Sequence, residues 1–249
     1  MPLNQAQIRL RNQLVTIKAL SFDCYGTLID WERGIQDAFQ NLLLQARVAD
    51  TIAMDEVLES FARHESRLES VTPILPYFEV LQQSAKGVGE DIGVAFSGAQ
   101  RLAFAESVDY WPLFADVLPF LASMQSDYLL AILSNVDRRS FSGTLPKFSG
   151  AIQLACIAED IGAYKPDLSA FEALLAQLAE RGIQRENLLH VAQSQFHDIE
   201  PASALGIKTC WVDRRHDKQG WGAVPQPANE VSADFHISSL AELPGLLEP

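Results

Sequence analysis

The sequence predicts an α/β protein built on a parallel sheet with helices on both faces and a helical segment inserted near its start. Three observations predict this class. Short, continuously apolar runs recur along the chain and stop at polar, glycine or proline residues, as strands buried on both faces do. Segments with helical spacing alternate with the later runs. Between the first and second runs lies a long stretch in which helix follows helix.

The first strand is Lys18 to Phe22. The insertion then carries amphipathic runs at Ile35 to Val48, Asp55 to Leu68, Tyr77 to Ser84 and Gly98 to Val108. Pro73, Pro76 and the KGVGEDIG segment, Lys86 to Gly93, are expected to mark turns among them. Alternation resumes with a helix at Val117 to Met124 and strands at Leu129 to Leu133 and Leu154 to Ile157. A helix at Leu168 to Glu180, a strand at Leu188 to Val191 and a helix at Ile199 to Leu205 follow. Thr209 to Val212 and Phe235 to Ile237 complete the sheet. Arg214 to Asn229 holds Gly, Pro and Trp without periodicity and is expected to be a surface loop, with Arg214, Arg215 and His216 as a solvated basic turn. The predicted organisation is a core of residues 1–30 and 111–249 and a helical cap of residues 31–110.

Composition narrows the functions. Of 249 residues, 48% are hydrophobic and 20% charged, enough for a sizeable core. The net charge of -13 repels phosphate backbones and anionic lipid, so neither nucleic acid nor a membrane is an expected partner. No window approaches the roughly 18 consecutive apolar residues of a membrane span, and the first residues lack a basic segment followed by an apolar one. Cys24, Cys156 and Cys210 are odd in number and sit beside apolar residues, as reduced thiols do. Together these lead us to expect a cytoplasmic protein.

In an open parallel sheet the residues just past the strand C-termini converge on one crevice. Four positions qualify: Asp23 after LSF, Ser134 with Asn135 after LLAIL, Lys165 in AYKPD, and Asp198 shortly after LLHVA. Asp23 opens DCYGTL, where Gly26 permits a tight turn and Thr27 can hydrogen-bond the turn or the carboxylate. Alone, Asp23 reads equally well as a helix cap. The ordered set of FDCYGTL, ILSN, YKPD and HD is far more specific.

On these motifs the chain resembles the haloacid dehalogenase superfamily across nearly the whole predicted core. The resemblance implies a Rossmann-like core with a cap over the strand ends, Asp23 as nucleophile, Lys165 as its cationic partner and Asp198 as the acid of the last motif. A carboxylate would attack an electrophilic centre to form an ester, with Lys165 holding it ionised. Ser134 and Asn135 would hold a substrate anion, and Asp198 would direct water to the ester.

Phosphatases of this superfamily usually place a second Asp two residues after the nucleophile; Tyr25 stands here. They also tend to add an acid in the last motif, where Gln193 and Ser194 stand. Two carboxylates make a thin site for a hard cation, so no metal or other cofactor is expected, with Mg entering only if the protein is a phosphatase. The tyrosine form resembles the 2-haloacid dehalogenase branch, which implies displacement of halide from the α-carbon of a small 2-haloacid. It also implies a cap arginine near the halide, for which Arg63 is first choice and Arg67 second, although either can equally be a solvated partner of Glu65 or Glu69. Gln195 falls where the branch positions water. FDCYGTLIDWE, FARHES, LSNVDR, AYKPD, QSQFHDIEPA and RRHDKQGWGA are also similar to the azetidine-2-carboxylate hydrolases of the same branch. That likeness implies a C–N bond instead, with His197 or Tyr25 as a proton source, His197 reading equally as a packed histidine. A small carboxylic acid is the expected partner in either case, and the branch implies a possible homodimer.

Overall fold

The computed structural model describes residues 16–71, 73–218 and 232–247. Six strands, β1 (Ala19–Phe22), β2 (Leu129–Ser134), β3 (Leu154–Ile157), β4 (Leu188–Ala192), β5 (Lys208–Val212) and β6 (Phe235–Ile237), form one sheet in the order β3-β2-β1-β4-β5-β6. Every pairing is parallel. Strands enclosed on both faces need apolar residues on both, which is why these runs are continuous rather than alternating.

Successive side chains still divide between the two faces. Leu20, Phe22, Ile132 and Val191 join one core cluster, whereas Ala19, Ala131, Leu133 and Leu188 join another. The second is closed by Phe171, Leu174 and Leu178 from the helix Leu168–Ala179. In register, Phe22 stands beside Ile132 of β2 on one side and Val191 of β4 on the other. The chain builds outward from β1 in one direction and then returns to build in the other, so the β1/β4 boundary is the switch point beyond which a crevice opens.

Between β1 and β2 run α1 (Trp31–Ala46), α2 (Met54–Glu69), α3 (Tyr77–Asp91), α4 (Gly98–Glu106) and α5 (Val117–Met124). Helices α1, α2 and α4, with the segment after α3, bury a shared aromatic cluster in which Phe39 meets Phe61, Phe96 and Phe104. The first helix is capped by Asp30, whose carboxylate accepts from the Arg33 amide, and α4 by a reciprocal Ser97/Gln100 box.

Two expectations about this region change. The KGVGEDIG segment is not a set of turns, because α3 continues through Gly87 and Gly89 to Asp91. Both glycines are helical for reasons of space: a Cβ on Gly87 would lie 2.3 Å from His64 Nδ1, and one on Gly89 2.4 Å from the Val94 carbonyl. Nor are the two arginines of the RRH cluster solvated, although His216 is exposed. Arg214 donates to Asp116 at 2.7 and 3.0 Å and to the Thr27 carbonyl, and Arg215 pairs with Glu32. The apolar ring of Phe114 lies 4.1 Å beneath the Arg214 guanidinium, so the stack and the paired carboxylate together offset its desolvation. The rest of the expected loop, residues 219–231, and the leader expectation for residues 1–15 lie outside the described residues. All three cysteines are buried and free of disulfides, and no described helix is long and apolar enough to cross a membrane.

Candidate active site

Asp23 follows β1 directly, and its amide donates to the Val191 carbonyl, so the sheet ladder itself sets its position. The turn behind it reverses at Gly26, whose φ of +98° an L side chain rarely adopts and whose Cβ position lies 3.0 Å from Trp31 Nε1. That reversal brings Thr27 under the carboxylate, where Oγ1 donates to Asp23 Oδ2 at 2.8 Å and accepts from the Gln193 amide at 2.9 Å.

Lys165 Nζ donates to Asp23 Oδ1 at 2.9 Å, Asp198 Oδ1 at 2.7 Å and the Leu133 carbonyl at 3.0 Å. An ammonium has three N–H donors, so this one is saturated and its direction fixed. The lysine side chain is 2% exposed, Asp198 1% and Asp23 10%, which makes this a buried ion triad rather than a surface pair. Burial and the two carboxylates act oppositely on Lys165, and the carboxylates win, raising its pKa. Burial pushes Asp23 up against the pull of Lys165, whereas Lys165 and His190 hold Asp198 below its usual value despite burial. The two carboxylates around one lysine are therefore unequal.

Asn135 fixes the lysine loop: its Oδ1 accepts from the Lys165 amide at 2.7 Å and its Nδ2 donates to the Lys165 carbonyl at 3.0 Å. Ser134 Oγ, at the end of β2, is buried without a hydrogen-bond partner and lines the crevice. A buried orphan hydroxyl costs free energy unless a ligand or water meets it, so it is available to a bound anion.

The insertion closes the crevice with Trp31, Glu65, Glu69 and Tyr77. Tyr77 Oη donates to Glu65 Oε1 at 2.8 Å, and Asn135 Nδ2 donates to Glu69 Oε2 at 3.1 Å. Burial pushes Glu65 up to about 8; burial and then the Glu65 charge raise Glu69 well above the carboxylate range. His197 also lines the crevice, 3.9 Å from Glu69, with burial holding it down to about 4, so at neutral pH it is uncharged.

Four chain segments far apart in sequence thus bring the Asp23 carboxylate, the Lys165 cation, the Asp198 carboxylate and the orphan Ser134 hydroxyl into one crevice. The sequence pattern of haloacid dehalogenase-like hydrolases matches residues 17–206, from β1 past the Asp198 turn. The chain belongs to this hydrolase family. Over 239 residues it is 23% identical to (S)-2-haloacid dehalogenase 1 of Pseudomonas sp. strain CBS-3, covering 93% of this chain and 96% of that one. A 94-residue stretch, 38% of this chain and 37% of the other, is 31% identical to pyrimidine 5'-nucleotidase YjjG of Escherichia coli. The L-2-haloacid dehalogenase of Xanthobacter autotrophicus, solved with chloropropionic acid covalently bound, superposes with a TM-score of 0.76 at 17% identity. It covers 93% of this chain and 98% of that one, a likeness of fold.

In this haloacid dehalogenase-like hydrolase, Asp23, Tyr25, Ser134, Asn135, Lys165 and Asp198 all reach the crevice, and Thr27 supports it from below. Arg63 does not. It lies on the face of α2 opposite the buried stripe of Val57, Phe61, Glu65 and Leu68, is 62% exposed, and pairs with Asp91 at 3.1 Å. Arg67 is likewise exposed. Gln195 also misses the crevice, because the chain after β4 makes a wide turn at Gln195–Ile199, capped by Ser194, that presents Gln193, Ser194 and His197 instead. Tyr25 lines the crevice, and its hydroxyl is hydrogen-bonded to the Thr144 hydroxyl at 2.9 Å. Glu65, Glu69, Tyr77 and His190 were not anticipated. Their signal was present: glutamates inside the apolar stripe of an amphipathic helix, and a histidine within an otherwise apolar strand.

Proposed function

We propose that this hydrolase works without a metal, forming an ester between Asp23 and the α-carbon of a small 2-substituted carboxylic acid. The carrying observation is the engagement of both core carboxylates. Asp23 accepts from Lys165 and Thr27 on separate oxygens, and Asp198 Oδ1 accepts from Lys165 and His190. Magnesium wants about six oxygen ligands in near-octahedral array, and the neighbouring Gln193 and Ser194 add no charge, so the donor set fits that ion poorly.

In the first step an Asp23 oxygen bonds to the α-carbon and the leaving group departs with the bonding electron pair, as halide or, from a protonated amine, as the neutral amine. Ser134 receives the substrate carboxylate. In the second step water adds to the ester carbonyl, the ester C–O bond breaks, the α-oxygen takes a proton to give a 2-hydroxy acid, and the second proton is released as Asp23 returns to carboxylate.

The relatives support a halide as leaving group. A specific feature favours a nitrogen base instead: the insertion presents Glu65 and Glu69 to the crevice, with no arginine among the lining residues. A departing halide meets no cation on the insertion side of the crevice, whereas an N–H group can donate to the carbonyl oxygen of either carboxyl, protonated or not. The test is a panel of L-2-chloropropionate, azetidine-2-carboxylate and p-nitrophenyl phosphate, each with Mg²⁺ and with EDTA. The reading predicts turnover of a carbon substrate in EDTA, abolished by Asp23→Asn. Hydrolysis of the phosphate ester alone, and only with Mg²⁺, would overturn it.

A further inference from the structure

We propose that His190 is a positioning residue, holding Asp198 as the standing counter-charge of Lys165 while Asp23 is esterified. This rests on the ester reading above and extends it to a residue that does not touch the crevice.

His190 lies in the middle of β4, fully buried, where a strand of this kind otherwise carries only apolar residues. Both ring nitrogens are engaged. Nε2 is 3.0 Å from Asp198 Oδ1, and Nδ1 is 2.8 Å from Ser21 Oγ. An ionised carboxylate can only accept, so Nε2 carries a proton; for the neutral ring, Nδ1 then accepts from the Ser21 hydroxyl. Ser21 is the register partner of His190 across the β1/β4 boundary, so two strands fix the ring, and Phe171 meets it edge to face at 5.2 Å. A continuous buried chain results: Ser21, His190, Asp198, Lys165, Asp23, Thr27.

Its consequence is charge balance through the reaction. Before attack, Lys165 faces two carboxylates. Once Asp23 is an ester it is neutral, and Asp198 is the remaining carboxylate hydrogen-bonded to the lysine. Asp198 must then stay in place for the water-dependent step. A residue acting this way matters more for ester hydrolysis than for ester formation, which a general packing role would not produce.

The experiment is quenched-flow intact-mass measurement of the Asp23 adduct, with bromoacetate and azetidine-2-carboxylate as probes, on wild type, His190→Leu and His190→Gln. Formation and hydrolysis rate constants come from the same molecules, so any misfolded fraction drops out of their ratio. Loss of one hydrogen bond to a charged partner predicts roughly a ten- to hundredfold slower hydrolysis in His190→Leu, with formation changed by less than about threefold and adduct accumulating. His190→Gln keeps a donor and recovers most of the hydrolysis rate. Equal slowing of both steps, unchanged hydrolysis in His190→Leu, or no recovery in His190→Gln overturns the proposal. If wild type forms no adduct and turns over neither probe, the ester reading itself has failed and this proposal falls with it.

Discussion

Replacing Lys165 with methionine keeps the length and apolar stem of the side chain and removes its charge. Three hydrogen bonds of 2.7 to 3.0 Å are lost, and two carboxylates, 1% and 10% exposed, are left facing a neutral group. Removing one partner from a buried ion pair costs about 3–5 kcal/mol, because the stranded charge keeps its desolvation penalty without its compensation. The stranded carboxylates can escape part of this by taking up a proton, so the loss depends on pH. In the variant their folded-state pKa values rise above the unfolded ones; stability is therefore greatest at low pH and falls as pH rises through the folded values. In wild type Asp198 behaves oppositely, its depressed pKa adding stability above the unfolded value that is lost as pH falls through the folded one. The gap between the proteins should be widest near pH 7.5 and narrow by pH 5. Urea denaturation at both pH values measures it. A loss below about 1 kcal/mol at pH 7.5, or the same loss at pH 5, would refute the triad as an energetic unit.

Arg63→Ala should leave kcat and KM for any substrate within about twofold, since its partner is an exposed Asp91; a large drop in kcat would return Arg63 to the site. Glu65→Gln should flatten the pH dependence of stability. A carboxyl raised to about 8 binds a proton in the folded state over the range from the unfolded value of 4.5 upward, so wild type loses stability across that window and the amide does not. Thermal melts at pH 5 and 8.5 should show the variant gaining on wild type at the higher pH, and a constant difference would contradict the burial argument. Arg214→Ala takes the cation from Asp116, leaving it the bonds from Ser239 and the Leu240 amide, and releases the Thr27 carbonyl, with an expected loss of about 3–5 kcal/mol in denaturant titration. Activity per folded molecule should also fall, because Thr27 holds Asp23; full activity would separate the two.

The core was readable because its signals are local. A strand enclosed on both faces must be a continuous apolar run, and its end is marked by the polar residue that follows, which is why Asp23, Ser134 and Asp198 could be placed in one crevice before any geometry was known. The insertion was harder. The pattern shows that α2 has an apolar face, but which polar residue faces the crevice depends on how α2 packs against α3, where Gly87 admits His64 of α2, while Gly89 admits the Val94 carbonyl of the segment that follows α3. Those glycines read as turn residues, because a local rule cannot see a neighbouring helix. The same blindness hid the pairing of Arg214 with Asp116, whose partners are distant in sequence. Arg63 has the chemistry of a halide partner, but position on the helix decides, and Glu65 and Glu69 hold the inward positions.

The crevice has two makers. The ion triad and its supports come from the sheet ends, whereas Glu65, Glu69 and Tyr77 come from one pair of packed helices, α2 and α3. The groups that would break a bond and those that would choose which bond are thus carried on separate stretches of chain, which meet where Asn135 donates to Glu69, where His197 lies 3.9 Å from Glu69 and where the Tyr25 and Tyr77 rings pack 6.1 Å apart. Selectivity in such a protein can be rewritten at two or three helix positions while the reactive machinery is left intact. Equally, a mutation in the helices that abolishes turnover of one compound need not abolish catalysis, and screens of such variants should be run on substrates of opposite leaving-group charge.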